Sequence, residues 1–185
     1  MMNRGVTGIA LFLAASLAAA AGEPSARDAP APDDSPPLSW GLKGGVGFTA
    51  DPTAFLMGLE GDYAFTREFR AGPLLQIAAS DRKTIVAPTA NLKFFVPIPD
   101  APREVERFHP FLQLGLGLAY VERERRHRHD DDEVGFLMNA GFGFDYMVTD
   151  RFGVGSHMLF NVLPDETAGE RFFFSWQVVT ASVRF

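Results

Sequence analysis

Residues 171–185 read RFFFSWQVVTASVRF, and this stretch decides the fold. Counting back from Phe185, every second residue is apolar for four steps: Phe185, Val183, Ala181 and Val179. Between them stand Arg184, Ser182, Thr180 and Val178. A strand turns successive side chains to opposite faces. The stretch therefore predicts a strand with one apolar face and one mostly polar face, ending on an aromatic residue.

Seven earlier segments carry the same pattern. The predicted strands span 40–49, 54–64, 68–79, 84–96, 108–121, 134–148, 151–162 and 172–185. Each is long enough to cross a bilayer, for which a tilted strand needs ~9–11 residues. After residue 22 no apolar run reaches the ~20 residues of a spanning helix.

The two faces decide what kind of barrel this is. In the sixth segment Phe136, Met138, Ala140, Phe142, Phe144, Tyr146 and Val148 share one side, opposite Gly135, Leu137, Asn139, Gly141, Gly143 and Asp145. In the fifth, Leu112, Leu114, Leu116, Leu118 and Tyr120 oppose Gln113, Gly115, Gly117 and Ala119. An eight-stranded barrel has room inside only for side chains. This many Phe, Leu and Tyr would overfill it, whereas the Gly and polar face suits a narrow interior. The apolar face then meets lipid, and the sheet must close so that every backbone group is paired. The fold class read here is all-β: an eight-stranded antiparallel up-and-down transmembrane barrel with both termini in the periplasm.

The polar face carries both signs of charge. The expected interior network comprises Lys43, Glu60, Asp62, Arg70, Gln76, Asn91, Lys93, Gln113, Asn139, Asp145, Arg151 and His157. Charges buried together satisfy one another, while an isolated one is very costly. The network reads as a structural plug rather than a catalytic set. Pro73 and Pro88 interrupt the third and fourth segments, and each removes a ladder donor. Their similar depth across the turn at 80–83 predicts one shared irregularity, a bulge or a water-filled gap.

The N-terminus fixes the compartment. MMNRGVTGIALFLAASLAAAAGEPSA has a positive Arg4, an apolar run from Gly8 to Ala21 and small residues near Ala21 and Gly22. This is the pattern of a cleaved secretory signal at 1–22. Residues 23–39, EPSARDAPAPDDSPPLS, read as a disordered periplasmic linker, and 40–185 as one barrel domain. There are no cysteines, so no disulfide staples the fold. A net charge of -6 argues against a nucleic-acid partner.

With both ends in the periplasm, the connections 50–53, 80–83, 122–133 and 163–171 face outward. The turns 66–67, 97–107 and 149–150 face inward; PIPDAPREVER at 97–107 is long for that side. The third outer loop, ERERRHRHDDDE, holds Arg123, Arg125, Arg126 and Arg128, which suit phosphates of lipopolysaccharide. His127, His129 and Asp130–Asp132 fit no closed metal site, and no cofactor is expected. Trp40, Tyr63, Tyr120, Tyr146 and Trp176 are candidates for aromatic belts. Strict alternation from Phe185 turns Trp176 inward, and only an intervening bulge would turn it out.

These residues resemble the small eight-stranded outer-membrane proteins of Gram-negative bacteria, the group of the OmpA transmembrane domain, OmpX and the opacity proteins. The likeness rests on the signal, on Phe185 with the alternation before it, on ANLKFF at Ala90–Phe95 and on PFLQLGLGLAY at Pro110–Tyr120. It covers about 40–185. It implies that Phe185 is an assembly signal for the barrel-assembly machinery and that periplasmic chaperones act upstream. The barrel is expected in the outer membrane, as a monomer. The function this implies is a non-enzymatic structural or surface-interaction role in the envelope. One alternative is a narrow diffusion channel for small solutes. Another is a lipid A-modifying acyl-chain enzyme. For that enzyme, Ser156 and His157 are adjacent strand residues and so point to opposite faces. His127, Asp130 and Ser80 have nothing in the sequence to orient them.

Overall fold

A computed structural model of the chain describes residues 39–50, 53–81, 83–98, 102–123, 131–167 and 170–185. The signal and linker assigned to 1–39 lie outside them except for Ser39. Eight strands follow in order: β1 Trp40–Ala50, β2 Ala54–Ala64, β3 Phe69–Ala79, β4 Lys83–Phe95, β5 Phe108–Arg123, β6 Asp131–Met147, β7 Phe152–Thr167 and β8 Glu170–Arg184. A four-residue helix, α1 Arg103–Glu106, interrupts the connection between β4 and β5. Every strand pairs antiparallel with its neighbours in sequence, and β1 pairs with β8, from Gly41↔Arg184 to Ala50↔Phe174. The sheet is therefore a closed up-and-down barrel. No edge remains for another chain to extend.

Local chemistry explains the tight turns at the end that holds Trp40 and Phe185. Thr66 Oγ1 accepts from the backbone N–H of Glu68 at 3.2 Å and of Phe69 at 3.0 Å. Thr149 Oγ1 does the same for Arg151 at 3.3 Å and Phe152 at 3.0 Å. In each, the residue before the threonine donates to the phenylalanine carbonyl, Phe65 to Phe69 and Val148 to Phe152. A threonine hydroxyl folded onto its own following backbone sets both hairpins.

The alternating faces are inside out relative to a soluble domain. Leu114 and Val134 are each 63% exposed, whereas Lys93 is 0% exposed. The bulky side chains point away from the barrel, and the charged ones fill it. Glycines make room for that filling. A Cβ on Gly45 or Gly58 would collide with the side-chain amide of Gln177, which lies between them.

Four expectations are corrected. The strands flanking the connections predicted at 122–133 and 163–171 run further than their apolar alternation does. β5 reaches Arg123, paired with Asp131, and β7 and β8 reach Thr167 and Glu170, which pair with each other. Backbone pairing continues once a hairpin is started, whatever the polarity of its side chains. Secondly, the two prolines do not share an irregularity. The β3–β4 ladder is continuous from Phe69↔Phe94 to Ala79↔Thr84. Pairing lapses instead on the outer flanks, between Glu60↔Leu74 and Tyr63↔Ala71 on the β2 side, and between Val86↔Tyr120 and Thr89↔Gly117 on the β5 side. Each proline withholds its donor from the strand that β3 and β4 do not share. Thirdly, β8 contains a bulge. Val46 pairs with Val179 but Gly47 pairs with Gln177, so Val178 is the extra residue. It turns Phe173, Ser175 and Gln177 inward and leaves Trp176 outside.

The fourth concerns the interior, which is not polar throughout. Leu56, Ala78, Ile85, Ala87, Ala119, Val121, Leu137, Leu163 and Phe173 form one buried cluster with Ala54 at the end away from the chain termini. The narrow lumen is thus apolar at that end and charged towards the other.

Candidate functional site: the charged interior

The inward residues of β1, β2, β4 and β6 meet below the apolar cluster. Lys43 Nζ lies 2.7 Å from Asp145 Oδ1 and 2.9 Å from Oδ2. Lys93 Nζ lies 2.6 Å from Glu60 Oε2 and 3.2 Å from Asp62 Oδ2. β1 and β6 are not neighbours in the sheet, so the first pair spans the lumen. The two ammonium groups share one aromatic ring: Lys43 Nζ is 4.6 Å and Lys93 Nζ 4.9 Å from the centre of Phe111. A quadrupole face between two cations offsets part of their repulsion.

Amides fill the next layers. Ser175 Oγ donates to Gln76 Oε1 at 2.7 Å, Gln76 Nε2 to Asn161 Oδ1 at 3.3 Å, and Asn161 Nδ2 to Ser175 Oγ at 3.0 Å. This closed triangle joins β3, β7 and β8 across the barrel. On the opposite wall Gln113 Nε2 donates to Asn91 Oδ1 at 2.8 Å, and Asn91 Nδ2 to Thr89 Oγ1 at 2.8 Å. His157 is buried edge-on to Phe111, with ring centres 5.3 Å apart. Among the described residues neither of its ring nitrogens has a hydrogen-bond partner, and the same is true of the Asn139 amide.

The structure therefore buries Lys43, Glu60, Asp62, Gln76, Asn91, Lys93, Gln113, Asn139, Asp145 and His157 inside the barrel. Arg70 is half-buried at the mouth, its guanidinium 4.6 Å from the centre of the Phe95 ring. Arg151 is a correction: it is exposed in the turn that follows β6, because β7 begins only at Phe152. Sequence reasoning left Thr89, Asn161, Ser175 and Gln177 out of the network. The bulge hides two of them from a strict count of alternation. The signal is QVVT at Gln177–Thr180, where inward polar residues are three apart instead of two.

The loop arginines Arg125, Arg126 and Arg128, with His127, His129 and Asp130, lie outside the described residues, as does the side chain of Arg123. Ser156 and His157 face opposite ways. Ser156 Oγ accepts from Trp176 Nε1 at 2.8 Å and donates to the Gln177 carbonyl at 3.2 Å. Both its capacities are used on the outer wall, away from His157. Among the described residues no three His, Cys, Asp or Glu side chains are grouped to hold a metal ion.

Aromatic pairs ring the outside at two levels. Trp40–Tyr63 at 4.8 Å, Phe69–Phe94 at 5.1 Å and Phe108–Phe144 at 5.1 Å mark the end with the termini. Phe48–Trp176 and Phe160–Phe174, both at 5.4 Å, lie towards the other end.

This architecture matches solved structures. The N-terminal β-barrel domain of Pseudomonas aeruginosa OprF superposes with a TM-score of 0.62 at 12% identity, over 80% of this chain and 98% of that one. The fold is that of the small outer-membrane barrels. Neisserial surface protein A gives 0.63 at 10% identity, over 83% and 100%. Yersinia pestis Ail, in complex with the heparin analogue sucrose octasulfate, gives 0.51 at 14% identity, over 80% and 96%. No family model and no curated protein matches the sequence. The likeness to the small outer-membrane barrels is one of fold.

Proposed function

We propose that the chain is a transmembrane barrel of the Gram-negative outer membrane, with its termini in the periplasm and a structural or surface-interaction role in the envelope. The observation that carries this reading is the closed barrel with bulky apolar side chains outside, bounded by two aromatic levels, and charged side chains paired inside. Lipid is the solvent that suits such a surface, and the aromatic levels match its two interfaces. Export by the N-terminal signal, delivery by periplasmic chaperones and insertion by the barrel-assembly machinery complete the route. Arg123, Arg125, Arg126 and Arg128 at the third outer loop supply contacts to lipopolysaccharide phosphates.

The interior argues against a channel. The apolar cluster closes the end away from the termini, and cross-lumen pairs span the section beneath it. Among the described residues Ser156 and His157 do not pair as nucleophile and base, since Ser156 bonds to Trp176 on the outside while His157 lies within.

The test is planar-bilayer conductance of the refolded chain from residue 23 onward, alongside a heat-modifiability gel. The expected result is a heat-shifted band with silent bilayers. Reproducible discrete conductance steps would replace this reading with a diffusion channel.

A further inference from the structure

The long connection between β4 and β5 and the mouth beneath it are unused by the reading above. Three inward positions at this end carry basic groups: Arg70 near the start of β3, His109 near the start of β5 and Arg184 at the end of β8. All three are half-buried. They share space. A hollow of about 420 Å³ is lined by His109 and Arg184 together with Arg107. A second one of about 10 Å³ is lined by Arg70 and Arg184 with Lys43, Asp62 and Asp145. Neither arginine forms a salt bridge with a described carboxylate: Asp145 is held by Lys43, and Asp62 and Glu60 by Lys93. Arg70 Nε is buried with no hydrogen-bond partner. The two guanidinium groups thus share only the smaller space, where their charges repel each other and the carboxylates of Asp145 and Asp62 offset part of that repulsion. α1 and the residues around it form the opposite wall, through Glu106 and Arg107.

We propose that His109 and Arg184, with Arg70 behind Arg184, form an oxyanion-binding site in the barrel mouth at the end holding the chain termini. Guanidinium groups present planar forks of donors that match carboxylate and phosphate oxygens. The larger hollow, which His109 and Arg184 line, falls in the range of about 300–1,000 Å³ that holds small ligands. Glu106 and Asp150 line the same hollow and add negative charge to it. The ligand is therefore a compact oxyanion whose remainder is neutral or positive, rather than a polyanion. In the orientation proposed above the site opens to the periplasm; the binding chemistry does not depend on that orientation.

The experiment follows the arginine Nε–H resonances of the refolded chain in detergent micelles at low ionic strength. Inorganic phosphate is one probe, and the dipeptide Ala-Ala, with a free carboxylate and amine, is the other. The resonances of Arg70 and Arg184 are assigned through Arg70→Gln and Arg184→Gln. A saturable shift of both with phosphate supports the site and points to a phosphoryl source; one with the dipeptide alone supports it and points to a carboxylate. In Arg184→Gln the affinity read at Arg70 should fall about tenfold, the loss of one charge-assisted bond. If that variant does not refold, Arg70→Gln reads the same loss at Arg184. Arg151→Gln, on the exposed turn, should leave binding unchanged. No saturable shift with either probe, or an equal loss in Arg151→Gln, overturns the proposal.

Discussion

At the scale of single residues, the interior is held by charges that cannot be removed one at a time. Lys93 serves both Glu60 and Asp62. Lys93→Met would leave two buried carboxylates without a cation, and removing one partner of a buried pair costs about 3–5 kcal/mol. The urea midpoint of the refolded barrel should fall accordingly, and adding Glu60→Gln and Asp62→Asn to the same chain should restore most of it. Recovery of nothing would show that Lys93 acts through packing against Phe111 rather than through its charge. Gly58 is set by a different constraint. Its missing side chain is filled by Gln177, so Gly58→Leu should destabilise the barrel, and Gln177→Ala should rescue part of that loss. Contacting residues couple by about 0.5–3 kcal/mol, which a double-mutant cycle on the urea midpoints would resolve. The charges that pair inside were legible because Lys43, Glu60, Asp62, Lys93 and Asp145 stand on the glycine-rich face of clean alternations. Gln177 and Ser175 were not, because a count of two from Phe185 assigns them to the outer face.

At the scale of elements, that miscount is one inserted residue. Val178 has no partner on either neighbouring strand, and the phase of β8 changes across it. A one-residue slip exchanges the two faces of a strand. The bulge therefore lets one strand keep Val179, Ala181, Val183 and Phe185 outside at one end and Trp176, Phe174 and Phe172 outside at the other. Trp40 and Trp176 are the only two tryptophans. In a Trp40→Phe chain, bilayers of brominated lipid should quench the fluorescence of Trp176 strongly; quenching only by an aqueous agent would place the indole within the lumen. The ends of β5 to β8 were less legible than their middles for a related reason. Apolar alternation reports which side chains face out of the barrel, and backbone pairing outlasts it at Glu122↔Asp132 and Arg123↔Asp131. The prolines were legible as ladder breaks. Which neighbour each one breaks with depends on the direction of its missing N–H, which a sequence does not display.

At the scale of the whole molecule, the barrel is polarised along its axis. One end is filled by Leu, Ile, Val, Ala and Phe, and the other by paired charges opening on arginines that form no salt bridge among the described residues. The strand count, order and closure followed from periodicity alone, since eight amphipathic segments joined by short turns have few ways to bury their polar faces. The axial asymmetry did not follow. It depends on which inward residues share a layer, and that is a matter of register between strands rather than of pattern within one. The seam between first and last strands has the same character as every other. Phe185 donates its N–H to the Trp40 carbonyl at 2.8 Å, so the ends of the barrel are neighbours. A circular permutant that links 185 to 40 by a few residues and opens the Thr149 turn should refold in detergent to the same heat-shifted form. Its final strand would be β6, ending near Val148 instead of Phe185. If cells insert the permutant as well as the parent, the machinery that places it reads the finished surface; if they do not, the order of the strands in the message carries an address that the finished barrel no longer needs.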